Sequence, residues 1–269
     1  MAQWAIQDFE PEPMRYEAHG WRAIGTGDWK LDDHELRAAR AGMSRLGVIT
    51  GLRAAADCLR GFQDGEAPLV ATSGGDAERA RAGALDLAAK GVAGLVSFGM
   101  ATGLAPVLRP GDLVLADSVV LPSGQAAPTD PAWRGELARR LGAVGIALRV
   151  ARIAGSDRPL TSADEKRRAF QATFAAAIDT ESHAIAEVAR RLQLPLLVVR
   201  AVAEPAELTR SAVLAQQGEG SALAVAARLI GRPWELPAVW RNAQNGKLAL
   251  AALRQVAALR PEPFAYQGG

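Results

Sequence analysis

Short apolar runs alternate with helix-period stretches from Leu46 to the C-terminal region. Leu46 to Thr50 predicts a strand, and Leu52 to Phe62 a helix after Gly51. Pro68 to Thr72 predicts a second strand, ending in Ser73-Gly74-Gly75; Asp76 then suits the cap of an Ala-rich helix to Lys90. Ala93 to Phe98 and Asp112 to Leu121 predict the third and fourth strands. Asp130 caps a helix to about Leu141, with Pro131 in its first turn. A strand follows over Arg149 to Ala154, then a helix over Ser162 to Gln171. Ser162 and Glu165 have capping-box spacing. Phe174 to Ile178 predicts a strand, Glu181 to Leu192 a helix and Leu196 to Val202 a strand apolar on both faces. Helical stretches over Ser211 to Leu229 and Leu236 to Leu259 complete the pattern.

Strands that alternate with helices imply an α/β layered domain with a mostly parallel sheet. Continuous apolar strands suit a sheet covered on both faces. This domain is expected over residues 43–269. Residues 1–42 lack any period: Trp4, Trp21 and Trp29 are scattered among Pro11, Pro13, Gly20, Gly25 and Gly27. They read as a flexible extension. Two other readings stay open, a translation start at Met43 and an aromatic segment that docks on a partner.

Composition narrows the function. Of 269 residues, 49% are hydrophobic and 22% charged, with a net charge of +2. Such a chain buries a sizeable core. It lacks the dense basic run with interleaved aromatics expected of a nucleic-acid binder. Cys58 is the single cysteine, which excludes an intrachain disulfide, makes a structural zinc site implausible and suits a reducing compartment. No signal peptide is visible, and the longest apolar runs are too short to span a bilayer. A cytoplasmic protein is expected, with no bound cofactor and no metal.

In a parallel sheet, ligands bind beyond the carboxyl ends of strands. Usable chemistry sits at each such end: Gly51-Leu52-Arg53, Ser73-Gly74-Gly75, Gly99 to Gly103, Asp179-Thr180-Glu181-Ser182, and Ala203-Glu204. Each has a plain structural reading too. Glycines at such turns are usually backbone devices, although they also let N–H groups approach an anion. Neither GxxxxGK[ST] nor GxGxxG is present, so no P-loop or dinucleotide fingerprint applies. Asp179 and Glu181 precede a helix, and from spacing alone the readier reading is an N-terminal cap. His183 reads as a packed histidine and Cys58 as a small core residue.

Taken in order, these segments resemble the nucleoside phosphorylase family, which includes the methylthioadenosine/adenosylhomocysteine nucleosidases. Val96 to Pro106 with Leu108 to Val114 looks like the family's glycine tract and Pro-Gly-Asp strand. Ile178 to Ala186 looks like its Asp/Glu-Met-Glu segment, and Val199 to Glu204 like its Arg-Ala-Ile-Ser-Asp segment. Val48 to Leu52, Ser97-Phe98-Gly99, Gly155-Ser156-Asp157 and Glu181 to Ala184 resemble the hopanoid-associated branch.

The resemblance implies a three-layer α/β/α sandwich around a mixed, mostly parallel sheet. It implies Glu181 and Glu204 as catalytic groups, Glu181 holding the ribose hydroxyls and Glu204 facing the base. Asp179, Thr180, Glu181 and Ser156 are expected at the substrate. Gly51, Arg53, Gly99 and Thr102 are expected at inorganic phosphate, the co-substrate. The nucleosidases activate water with a Glu near position 55, where this chain has Ala55, so phosphorolysis is favoured. Thr102, Thr180 and Glu204 stand where the family usually has Gly, Met and Asp. The leading expectation is phosphate-dependent adenine release from a hopanoid-linked nucleoside (adenosylhopane). The alternatives are a nucleosidase using water and a catalytically degenerate nucleoside-binding protein. A homo-oligomer is expected, with peripheral membrane contact through Trp234, Leu236, Val239 and Trp240.

Overall fold

A computed structural model describes residues 45–60, 67–208, 232–259 and 264. The expected extension over 1–42 and the helix over 211–229 lie outside the described residues.

The elements, in chain order, are β1 (Gly47–Thr50), α1 (Arg53–Asp57), β2 (Leu69–Thr72), α2 (Ala77–Ala89) and β3 (Leu95–Gly103). Then come β4 (Leu113–Val120), β5 (Ala126–Pro128), α3 (Pro131–Ala143), β6 (Leu148–Gly155) and α4 (Ala163–Thr173). The series ends with β7 (Ala177–Asp179), α5 (Ser182–Arg191), β8 (Leu196–Glu204) and α6 (Leu236–Ala257), the last preceded by a 3-10 turn at Pro233–Glu235. The caps read from sequence are present. Asp76 accepts from Arg79 N and Asp130 from Trp133 N, and Ser162 with Glu165 forms the reciprocal capping box. These bonds satisfy amide groups that the first helical turn leaves unpaired.

The α/β class is borne out, and the sheet is mixed. Strand β3 pairs parallel with β1 and β8 and antiparallel with β7; β4 pairs parallel with β6 and antiparallel with β5 and β8. A parallel pairing of β6 with β7 closes a ring, β3-β8-β4-β6-β7. The closure follows from the length of β3 and β8, nine residues each, which allows each to serve different partners at its two ends. The short hairpin strand β5 carries no apolar alternation in Ala126-Ala127-Pro128, so the hydrophobic pattern did not reveal it.

Side-chain alternation divides the apolar strands between two cores. Leu196, Val198 and Val202 face one core with Ile185 of α5 and Leu87 of α2; Leu197, Val199 and Ala201 face the other with Leu137 of α3 and Leu253 of α6. On α6, Asn245, Ala249, Ala252, Leu253 and Val256 form the buried stripe, at the spacing of one helix face. The same parity turns Arg200 of β8, and Ser97 of β3, toward α5. Those two residues place the site.

Candidate active site

Strand β3 organises the region. Its pairing with β1 ends at Ser97 and its pairing with β7 starts at Thr102, so over Phe98 to Ala101 neither strand pairs with that edge. The Gly99 to Gly103 tract, expected beyond the end of the third strand, is instead part of it, and most of it pairs with β8. The gap between β1 and β7 marks the crevice, in keeping with ligand sites where strand pairing diverges.

Asp179 and Glu181 share a strand end but differ in what they do. Asp179 Oδ1 accepts from Glu181 N and Ser182 N, each at 2.7 Å. Its Oδ2 accepts from Ser182 Oγ at 2.5 Å and from Arg200 Nε at 2.7 Å. A carboxylate offers about four acceptor positions, and protein donors occupy all of them. Asp179, expected at the substrate, serves here as the cap of α5 and the counter-ion of Arg200. That arginine, 1% exposed, also donates through Nη2 to Ser97 Oγ and Ser182 Oγ at 2.6 and 2.9 Å. Fully buried Asp179 is held below its ordinary carboxyl range because Arg200 and the Ser182 donors outweigh the desolvation that opposes them.

Glu181 makes no capping bond. It is 6% exposed and accepts from Ser73 Oγ and from the backbone of Gly75. Two of its acceptor positions remain for a ligand. Burial pushes its carboxyl up to about 7, with Arg200 drawing it down and Asp179 pushing it further up. Gly75 at φ +79° and Gly74 at φ +70° supply the turn that brings Ser73 and the Gly75 amide to this carboxylate. The anion in the small-residue loop is Glu181 itself. Ser73 was missed in the sequence because its neighbours suggested only backbone function.

Gly51 borders Glu181 so closely that a Cβ there would lie 2.5 Å from Glu181 Oε2. Gly99 is adjacent: a Cβ on it would lie 3.2 Å from Arg200 Nη1 and 3.9 Å from Gly51 N. Arg53 is exposed in the first turn of α1, and Ala55 is buried. Thr102, expected beside Gly99 at phosphate, lies three residues along the strand, about 10 Å away, opposite Ile178 and Glu204. The expected four-residue phosphate group is therefore split, with Gly51 and Gly99 together and Thr102 at the Glu204 end.

Thr180 Oγ1 donates to Gly75 O at 2.7 Å, tying the β2 and β7 ends together. Ser156 N donates to Asp179 O at 3.0 Å, and its hydroxyl donates to Arg158 O at 2.7 Å. His183 is buried, with Nε2 3.1 Å from Asp157 Oδ1. At the other end, Glu204 is buried against Lys166 of α4, whose Nζ lies 2.5 Å from Glu204 Oε1. Lys166 is fully buried and also donates to Pro205 O and Leu208 O, at 3.1 and 2.6 Å. Sequence reasoning missed it, because one Lys in the charged run Asp164 to Arg168 carries no sign of burial.

The chain matches the phosphorylase superfamily over residues 53–232. No curated protein matches it in sequence. Its fold is similar to that of futalosine hydrolase from Helicobacter pylori (TM-score 0.60, 16% identity), over 81% of this chain and 99% of that one. It is similar too to 5′-methylthioadenosine/S-adenosylhomocysteine nucleosidase from Neisseria meningitidis in complex with methylthio-immucillin-A (TM-score 0.63, 18% identity), over 80% of this chain and 97% of that one. The nucleosidase of that name from H. pylori matches at a TM-score of 0.59 and 16% identity, over 81% and 100% of the two chains. With a fold shared along nearly the whole of these structures and a family match over most of its own length, this chain belongs to the phosphorylase superfamily.

Proposed function

We propose that the protein cleaves the N-glycosidic bond of a purine nucleoside, with inorganic phosphate as the nucleophile. The observation that carries this reading is Glu181: a buried carboxylate with two protein donors and two open acceptor positions, beside two glycines. Two vicinal ribose hydroxyls match such an acceptor. As the bond to the base lengthens, positive charge grows on the sugar and the ionised carboxylate strengthens its hold on the hydroxyls. Arg200 and Ser97 act through Asp179 and Ser182, fixing the backbone from which Glu181 projects. Glu204, at the other end of the β3 crevice, is assigned to the departing base as proton donor.

Phosphate is favoured over water by what lies around Gly51. Among the described residues the buried carboxylates are Asp179, Glu181 and Glu204. Asp179 is filled, Glu181 is assigned to the sugar and Glu204 is paired with Lys166. Among these none is left to activate water, and Ala55 occupies the matching helix. An anionic nucleophile needs no such base. Gly51 and Gly99, without side chains, let the Glu181 carboxylate and Arg200 Nη1 come close to the backbone there, and Arg200 Nη1, whose hydrogen bond in the protein is a long 3.4 Å one to Val199 O, is assigned to the phosphate. Arg53 is assigned to the same phosphate from α1. Hydrolysis is the second reading, because the similar solved structures are named as a hydrolase and nucleosidases.

For the 5′ substituent we adopt the hopanoid-linked nucleoside, on the strength of the sequence resemblance. Trp234, Leu236 and Trp240 are exposed at 72%, 52% and 67%, and Arg232 and Arg241 beside them are exposed as well. Such a surface suits peripheral contact with a membrane that holds a lipid substrate. Among the described residues no helix is long and apolar enough to cross one. The test measures adenine release from adenosine, methylthioadenosine and adenosylhopane, with and without phosphate. Phosphate-dependent release, fastest with adenosylhopane, is expected. Equal release without phosphate rejects phosphorolysis, and adenine binding without any release rejects catalysis.

A further inference from the structure

We propose that Lys166 stores the proton that Glu204 delivers to the departing base. The inference rests on Glu204 being the acid at the base. It starts from a difficulty that the structure poses. A carboxyl group that acts as an acid near neutral pH is ordinarily kept protonated by apolar surroundings. Glu204 instead meets a buried ammonium at 2.5 Å.

The other partners of Lys166 resolve this. Its ammonium has three N–H bonds, and the structure gives each an acceptor: Glu204 Oε1, Pro205 O and Leu208 O. The two carbonyls belong to the chain just after β8. They hold the nitrogen in place whether it is charged or neutral, since a neutral amine still donates twice and turns its lone pair to Glu204. The pair therefore carries one mobile proton at no cost in net charge or in broken carbonyl bonds. A plain structural ion pair does not need a carrier able to lose its proton.

The step balances. An N–H bond at Lys166 breaks as the Glu204 carboxyl is protonated; that O–H bond then breaks as an N–H bond forms on the leaving base. Glu204 ends as the carboxylate it began as, and Lys166 ends neutral and recovers its proton from water after the products leave. Charged groups on the surrounding elements have partners or exposure of their own. Glu165 pairs with Arg158, Asp164 with Arg167 and Glu207 with Arg109, Asp157 lies against His183, and Arg168 is exposed. Glu181 and Arg200 lie at the sugar end of the crevice. Lys166 thus acts through Glu204, as a positioning and proton-supplying residue.

Two variants and two substrates test it. Lys166→Arg keeps a buried cation, but a guanidinium does not give up its proton; Lys166→Gln removes the charge. Adenosine needs its leaving base protonated, whereas a 7-methylated purine nucleoside carries the positive charge already. Both variants are expected to lower kcat/KM for adenosine about tenfold or more. Turnover of the 7-methylated nucleoside should persist, which also shows that the variants fold. The alkaline limb of the pH profile for adenosine should move down by about one unit or more in Lys166→Gln. Rescue of adenosine turnover by Arg, or an equal fall on both substrates, overturns the proposal. Glu204→Gln separates the two levels. If it spares adenosine turnover, the assignment of Glu204 itself has failed; if it alone is harmful, only the role of Lys166 has.

Discussion

The two ends of the crevice are built by opposite means. At the end assigned to the sugar, Asp179, Glu181 and Ser182 are near neighbours in sequence, and their partners Ser97 and Arg200 arrive on strands whose parity turns them to the same face. At the end assigned to the base, Glu204 meets a lysine 38 residues earlier, on a helix that the sheet pairing alone does not place. The first arrangement fixes a carboxylate by giving its neighbour every donor. The second fixes a carboxylate by an ion pair. One leaves acceptor positions open for hydroxyls, and the other leaves a proton within reach.

The strongest way to break this contrast is to remove the anchor of the sugar end. Asp179→Ala leaves Arg200 buried beside two serine hydroxyls without its counter-ion and takes the cap from α5. Breaking a buried pair from one side costs about 3–5 kcal/mol, so denaturant unfolding should show a loss of that size. A loss under about 1 kcal/mol, within the range of an exposed pair, would mean that Asp179 does not anchor this end.

Glu181→Gln comes next, because it touches chemistry and leaves the anchor in place. The amide keeps the shape but loses the charge that answers the developing sugar cation. A fall in kcat/KM of about 100- to 1000-fold is expected, the scale of losing one transition-state electrostatic contact. A wild-type rate would move the sugar site elsewhere in the crevice.

The same residue gives a pH test. On folding, its carboxyl rises from the ordinary 4.5 to about 7. Between those values the folded state binds more protons than the unfolded state. The contribution of Glu181 to stability is then whole below pH 4.5 and is lost as pH rises through 7, about 3 kcal/mol in all. Activity runs the other way, since the ionised form holds the hydroxyls: kcat/KM should rise through pH 7. Thermal unfolding of wild type against Glu181→Gln over pH 4–8 should show the falling slope only in wild type. Parallel curves would mean that burial does not raise this carboxyl.

What was legible in the sequence follows the same division. The caps at Asp76, Asp130 and Ser162 and the apolar strands were readable because their signals are local, as periods and short spacings. Spacing alone made a cap of Glu181, and the capping belongs to Asp179, two residues earlier; its assignment to the sugar came from resemblance. The turn of Ser73-Gly74-Gly75 toward Glu181, the strand character of Gly99 to Gly103 and the burial of Lys166 were not readable. Each depends on which distant strand or helix lies alongside, and hydrophobic period carries no such information. The ring closure of the sheet escaped for the same reason, since no local pattern tells β3 to take β7 as a partner after β1 has ended.

The smallest effect sharpens the comparison at its most exposed point. Thr180 stands in the middle of the Asp179 to Ser182 segment, yet its hydroxyl is engaged with Gly75 O. Thr180→Val keeps the shape and removes one hydrogen bond, so a stability loss of about 1 kcal/mol is expected. The Gly75 amide would still reach Glu181, because the positive φ of Gly74 and Gly75 sets that turn. Nucleoside KM should therefore stay within about twofold of wild type, well inside the tenfold that 1.4 kcal/mol represents. A rise of tenfold or more would show that the link from Thr180 to the β2 end, and not the Asp179 anchor alone, holds Glu181 in place for the sugar.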